Sequence, residues 1–162
     1  MRKSKIYLDT SVISHLYQQD APEKMADTLL LWKDISAGLY DIYLSDTTLQ
    51  EIGACKPEKL EILLGYLAQI EYTIISETDE IDSVAQMIID MGILRQKSFD
   101  DCVHIASAVV TSCDYIVSWN FKHMVNVKTI NGVRAISNLH GYRTIDIVQP
   151  TMLLRQEGDE DE

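Results

Sequence analysis

Short apolar runs of strand length alternate along this chain with longer segments whose apolar residues recur every three or four positions. Lys5-Ile6-Tyr7-Leu8, Ile42-Tyr43-Leu44, Tyr72-Thr73-Ile74-Ile75 and Tyr115-Ile116-Val117 are the runs. Between them, Met25, Leu29, Trp32 and Ile35 fall at helical spacing, as do Leu60, Leu63, Leu64 and Leu67. Ile81 to Met91 and about Ser98 to Ser112 repeat the pattern. Parallel strands need long crossover connections, usually helices, so the alternation predicts an α/β fold with a mostly parallel sheet. Pro22 and Pro57 suit first helical turns, while Gly38 and Gly92 suit helix ends. Further on, Val127-Lys128-Thr129-Ile130 reads as a fifth strand and Val133 to Leu139 as a helix before Gly141. Thr144 to Val148 reads as a last strand stopped by Pro150, with everything after the fifth strand an edge addition.

The 162 residues, 46% of them hydrophobic, suit one domain with a sizeable core and exclude global disorder. No repeat, low-complexity linker or boundary interrupts the chain, so residues 1–150 are expected to form a single domain. Residues 151–162 are expected to be an acidic, disordered tail, since Glu157 to Glu162 holds five acids. No apolar run nears the roughly 20 residues that cross a bilayer. The basic start, Met1 to Lys5, leads into an apolar stretch that meets Asp9 at once, unlike a signal peptide. Cys55, Cys102 and Cys113 are too few and wrongly spaced for a disulfide framework or zinc ribbon. A cytoplasmic protein with no membrane association is expected. The net charge of −11 argues against a sequence-reading DNA binder, which needs Lys and Arg on phosphates. It does not argue against a metal-dependent enzyme, because carboxylates gathered round a cation also count as negative charge.

Ligands of an open parallel sheet gather beyond the carboxyl ends of its strands. Asp9 follows the first run there, Glu51 lies on the helix after the second, and Asn120 follows the fourth. Asp100-Asp101 open the helix that feeds the fourth strand. Singly, each has an ordinary explanation: Asp9 as a helix cap, Glu51 as a solvated residue, Asp101 in a capping box with Ser98, Asn120 as a turn residue. Together, three carboxylates and an amide at one edge would repel unless a cation neutralised them. Without the cation, like-charge repulsion should raise at least one carboxylate pKa. Cys102 and Cys113 share a helical face with Ala106 and Val109 and read as core. His104, one turn after Asp101, reads as packed in its helix. No Gly-rich phosphate loop is present.

Asp9-Thr10-Ser11, the lone Glu51, Asp101-Cys102-Val103-His104-Ile105-Ala106-Ser107-Ala108 and Ile116-Val117-Ser118-Trp119-Asn120-Phe121, in that order and spacing, resemble the PIN domain nucleases. These include the toxins of the VapBC toxin–antitoxin type. The resemblance covers roughly residues 4–130. It implies a three-layer α/β/α sandwich around a parallel sheet of about five strands, with an acidic cluster that holds Mg²⁺ or Mn²⁺ for RNA hydrolysis. It matches Asp9, Glu51 and Asp101 to the three core acids and metal ligands. Asn120 matches a fourth position that is Asp or Asn, Ser118 the hydroxyl residue before it, and Ser11 a small polar residue that orients the first Asp. Many relatives carry a further Asp where this chain has His123, which leaves the number of metals open. The resemblance also implies a small antitoxin partner and a homodimer, for which Trp32, Met25 and Leu29 offer an apolar helix face.

The residue types suit that chemistry in their own right. Mg²⁺ takes oxygen ligands, keeps several waters and binds through one or two carboxylates plus substrate phosphate. Asp9 and Asp101 are the expected ligands, with Glu51 positioning a metal-bound water or second ion and Asn120 completing the shell or holding Asp9. Arg95, Lys97, Lys122 and His123 lie near the same edge, placed either to meet flanking phosphates or as solvated surface. Asp101 rather than Asp100 is the expected acid, because neighbouring helix residues point about 100° apart and Asp100 lies opposite the apolar stripe. The alternatives are a catalytically weak PIN-like module that binds RNA or protein, and a flavodoxin-like phosphoacceptor. The latter needs an acidic pair near the first strand, whereas this chain has its pair late.

Overall fold

The computed structural model describes residues 2–155. Its strands are β1 (Lys5–Leu8), β2 (Asp41–Ser45), β3 (Thr73–Ile75), β4 (Tyr115–Val117) and β5 (Asp146–Val148). They form one sheet in the order β3-β2-β1-β4-β5, with every pairing parallel. The helices are α1 (Thr10–Ser14), α2 (Pro22–Ser36), α3 (Asp46–Gly53), α4 (Pro57–Leu67), α5 (Asp79–Asp90), α6 (Phe99–Val110) and α7 (Val127–His140). The α/β reading with a parallel sheet of five strands holds.

Alternation along β1 divides the core. Tyr7 joins Ile116 and Ile147 on one face beneath α5, α6 and α7. Ile6 and Leu8 join Ile42, Leu44, Val117 and Val148 on the other, beneath α1, α2 and α4. Successive strand side chains point to opposite faces, so a strand buried on both sides must be apolar throughout. That is why Ile6, Tyr7 and Leu8 are all fully buried. The layers are helix, sheet, helix.

Three expectations change. Val127 to Ile130 is not a strand but the first turn of α7. Asn126 caps it by accepting from the Thr129 N–H at 2.9 Å, and Thr129, Val133, Ile136 and Ser137 supply a buried stripe at helical spacing. Val127, 74% exposed, is apolar without being core, which is what made the segment resemble a strand. The α2 face proposed for a homodimer is largely used within the chain. Trp32 is 2% exposed and donates its Nε1–H to the Tyr66 carbonyl at 3.2 Å, while Leu29 packs on the same core. Residues 151–155, expected in the tail, begin with a 3-10 turn, Pro150–Leu153, and Leu153 and Leu154 pack against the core. Residues 156–162 of the expected tail lie outside the described residues.

Candidate active site at the carboxyl edge of the sheet

β1 is the middle strand, so Asp9 emerges at the centre of the carboxyl edge. Its backbone N–H still pairs with the Val117 carbonyl at 3.1 Å, which fixes the residue against β4. Asp9 occupies the N-cap position of α1, yet its side chain caps nothing. Instead one oxygen, Oδ2, accepts from the Ser11 hydroxyl at 2.7 Å and from the Ser118 hydroxyl at 2.8 Å. Ser11 Oγ accepts in turn from the Trp119 N–H, and Ser118 Oγ from the Asn120 N–H, both at 2.9 Å. The two hydroxyls are thereby held by the turn that follows β4. A carboxylate 4% exposed is thus oriented by donors on two segments.

His104 stands beside it on α6, 1% exposed. Its Nε2 lies 2.6 Å from Glu51 Oε1 and 3.7 Å from Asp9 Oδ1. Its Nδ1 lies 2.6 Å from the Tyr7 hydroxyl, which donates its one proton to Ser45 Oγ at 2.7 Å. With that proton committed, the Tyr7 oxygen is left to accept from His104 Nδ1. Burial opposes a charge on the ring, but the hydrogen bond to Glu51 and the charges of Asp9, Glu51 and Asp101 outweigh it and raise the ring's pKa above its ordinary value. Burial pushes the Tyr7 phenol far above its usual range, so it stays protonated. Ser45 is the N-cap of α3, accepting from the Thr48 N–H at 3.2 Å, and so ties the network to the helix that carries Glu51.

Asp101, in the first turn of α6, points to the turn after β4, where its Oδ2 meets His123 Nδ1 at 2.6 Å. Ser98 makes no side-chain capping bond, so the capping-box explanation of Asp101 fails. Burial is the first cause that raises the Asp101 pKa; the His123 hydrogen bond opposes it and the Asp9 charge adds to it. The expected upward shift is present, with burial ahead of repulsion. Asp100 is exposed. Asn120 does not hold Asp9: its Oδ1 accepts from the His123 N–H at 2.9 Å and shapes the turn, and Ser11 and Ser118 do the holding. Burial pushes the Cys102 thiol up to about 12, which removes it as a nucleophile.

Asp9 and Glu51 therefore flank one buried imidazole, and Asp101 lies near enough for its charge to act on the same ring, with Ser11, Ser118 and Asn120 supporting. Among the described residues, no three His, Cys, Asp or Glu side chains stand close enough to enclose an ion directly. Yet Asp9 Oδ1, Glu51 Oε2 and Asp101 Oδ1 each make no hydrogen bond there. Carboxylate oxygens left without hydrogen bonds suit, by their chemistry, a hard cation such as Mg²⁺, which takes oxygen ligands and keeps several waters. Sequence reasoning missed His104 and Tyr7. The available signal was a histidine amid Val103, Ile105 and Ala106: a buried ring needs polar partners, and Asp101 lies one turn away.

No family model matches the chain, and no curated protein matches it. Solved structures do. One is the crystal structure of VapBC2 from Rickettsia felis bound to a DNA fragment from their promoter. It aligns over 90% of this chain and 98% of the other, with a TM-score of 0.54 and 14% identity. At that identity the likeness is one of fold, and it supports a PIN-like architecture.

Proposed function

We propose that the protein is a metal-dependent endoribonuclease, hydrolysing RNA phosphodiester bonds with Mg²⁺ or Mn²⁺, and that it is the toxin of a toxin–antitoxin pair. One observation carries the reading: Asp9, just past β1, and Glu51 of α3 flank the buried His104 of α6, whose charge also responds to Asp101 on the same helix. Asp9 and Asp101 would hold the ion, with Glu51 beside it. When bound, the ion supplies an activated water and neutralises charge developing on the phosphate. The two serine hydroxyls fix Asp9 so that Oδ1 faces the site. Tyr7 and His104 fix Glu51 from behind, and His123 does the same for Asp101. Such held ligands need little reorganisation during reaction. The same reading takes a small antitoxin as partner, in keeping with the VapBC2 likeness, and a homodimer as the assembly.

A second reading, a catalytically weak module that binds RNA or protein, is favoured by the imidazoles themselves. Glu51 and Asp101 are each paired with a ring at 2.6 Å, which reduces their pull on a cation. Incubating the full chain with RNA oligomers and either ion separates the two. Cleavage that stops with EDTA and in Asp9→Asn supports the nuclease. Binding without cleavage at any metal concentration supports the module. Co-purification with a small DNA-binding protein tests the partner.

A further inference from the structure

A cavity of about 310 Å³ is lined in part by His123, whose ring meets Asp101. Ten residues line it, and none is Asp or Glu. Four are Arg95, Lys97, Lys122 and Lys128, in a chain whose acids outnumber its bases 25 to 14. None of the four cations makes an ion pair or a side-chain hydrogen bond among the described residues. Elsewhere, Arg2 and Arg143 reach Asp114 and Arg134 reaches Asp146, while lysines such as Lys33 and Lys56 stand unpaired among the described residues, but singly. Four unpaired like charges facing one space repel each other, and an anion in that space relieves the repulsion.

We propose that this cavity holds the backbone phosphates of a single RNA strand, next to the nucleotide whose phosphate lies among the three carboxylates. The proposal rests on the ribonuclease reading for its direction, since His123 both lines the cavity and touches Asp101. Four charges from two segments, residues 95–97 and 122–128, exceed what one phosphate would neutralise and suit a chain of them. No Phe, Tyr or Trp lines the space, so nothing there stacks a base. Contact with the backbone alone positions a strand without reading its sequence. The carboxylates would otherwise repel the substrate; this wall draws it past them.

The test uses the full chain in EDTA, where no cleavage occurs, and fluorescence anisotropy of labelled oligo(U) and oligo(A). Lys97→Gln/Lys122→Gln is compared with Lys33→Gln/Lys56→Gln, which lie elsewhere. Counterion release on a single strand predicts about an eightfold loss per charge at about 50 mM salt, hence about 60-fold for the pair. The slope of log affinity against log salt should fall by about 1.4, equally for both sequences. The control pair should bind as the unaltered chain does. Equal binding by both double variants, no binding by the unaltered chain, or full displacement by inorganic phosphate at matched charge overturns the proposal. Adding Mg²⁺ or Mn²⁺ separates the two claims. Binding without cleavage then refutes the nuclease and leaves the cavity; cleavage with an unchanged KM in Lys97→Gln/Lys122→Gln refutes the cavity and leaves the nuclease.

Discussion

Tyr7→Phe removes one oxygen atom and keeps the ring that fills the sheet face beneath α6. The oxygen lies in a fully buried position, 2.6 Å from His104 Nδ1 and 2.7 Å from Ser45 Oγ. Ser45 keeps Thr48 as a partner, but His104 Nδ1–H loses its only one. An unpaired buried donor costs about 1–3 kcal/mol, toward the upper end where, as at His104, the group is almost wholly buried. We expect a loss of about 2–3 kcal/mol, which in a domain of this size lowers Tm by about 4–12 °C. Urea unfolding should show it as a lower midpoint at unchanged slope. Because the same oxygen holds the imidazole that orients Glu51, metal affinity should fall as well, about 10-fold or more. Isothermal titration with Mn²⁺ reads that loss separately from folding. A variant within about 0.5 kcal/mol of the original, binding Mn²⁺ equally well, would show that the Tyr7–His104 contact orders nothing.

Asp101→Asn should lower metal-dependent RNA cleavage by more than about 100-fold, and Asp100→Asn should leave most of it, because only Asp101 meets His123; initial rates on one oligomer decide. Two glycines should respond in opposite directions to alanine. At Gly132, in α7, a Cβ would sit 2.5 Å from the buried Ile93 side chain, so overpacking of about 1–3 kcal/mol should match or exceed about 1 kcal/mol of helix propensity. At Gly65, in α4, nothing lies within 4 Å, and the same change should stabilise by about 0.5–1 kcal/mol in urea titrations. Asp114 accepts from the Lys5 N–H at 2.8 Å and pairs with Arg2 and Arg143. Burial pushes its pKa up, but these partners outweigh it and hold it below the ordinary carboxylate value. Its contribution is complete above that ordinary value, about 3.9, and is lost as pH falls through the depressed one. Asp114→Asn should therefore be less stable at neutral pH, with the gap closing in strong acid; a constant gap would refute the linkage.

Residue pattern alone displayed most of this architecture. β1 and β4 are apolar on both faces, which only a sheet covered on both sides tolerates, and Pro22, Pro57 and Gly92 stand at helix ends as their backbone preferences require. The carboxylates were legible because strand ends in a parallel sheet are where ligands collect. What stayed hidden depends on partners far away in the chain. Val127-Lys128-Thr129-Ile130 is rich in β-branched residues, as strands are, and only the cap from Asn126 and the stripe reaching Ser137 make it helical. His104 looked inert because Tyr7 and Glu51, which bind it, lie 97 and 53 residues away. Trp32 looked available to a second subunit because its cover, Tyr66, comes from another helix.

The hydrogen bond from Ser118 to Asp9 spans 109 residues, and β1 lies between two strands made after it. A chain synthesised from its N-terminus can pair β1 with β2 early, but its other edge must wait for β4. Contacts so distant in sequence are slow to form, because the intervening loop must be closed before they contribute. On the ribosome, Asp9 therefore lacks its second hydroxyl, and the turn that steadies Ser11, until residues 118 and 119 have been made. Glu51 waits equally for His104. The arrangement is absent from any nascent chain that stops short of Ser118, and it comes together when the middle of the sheet closes.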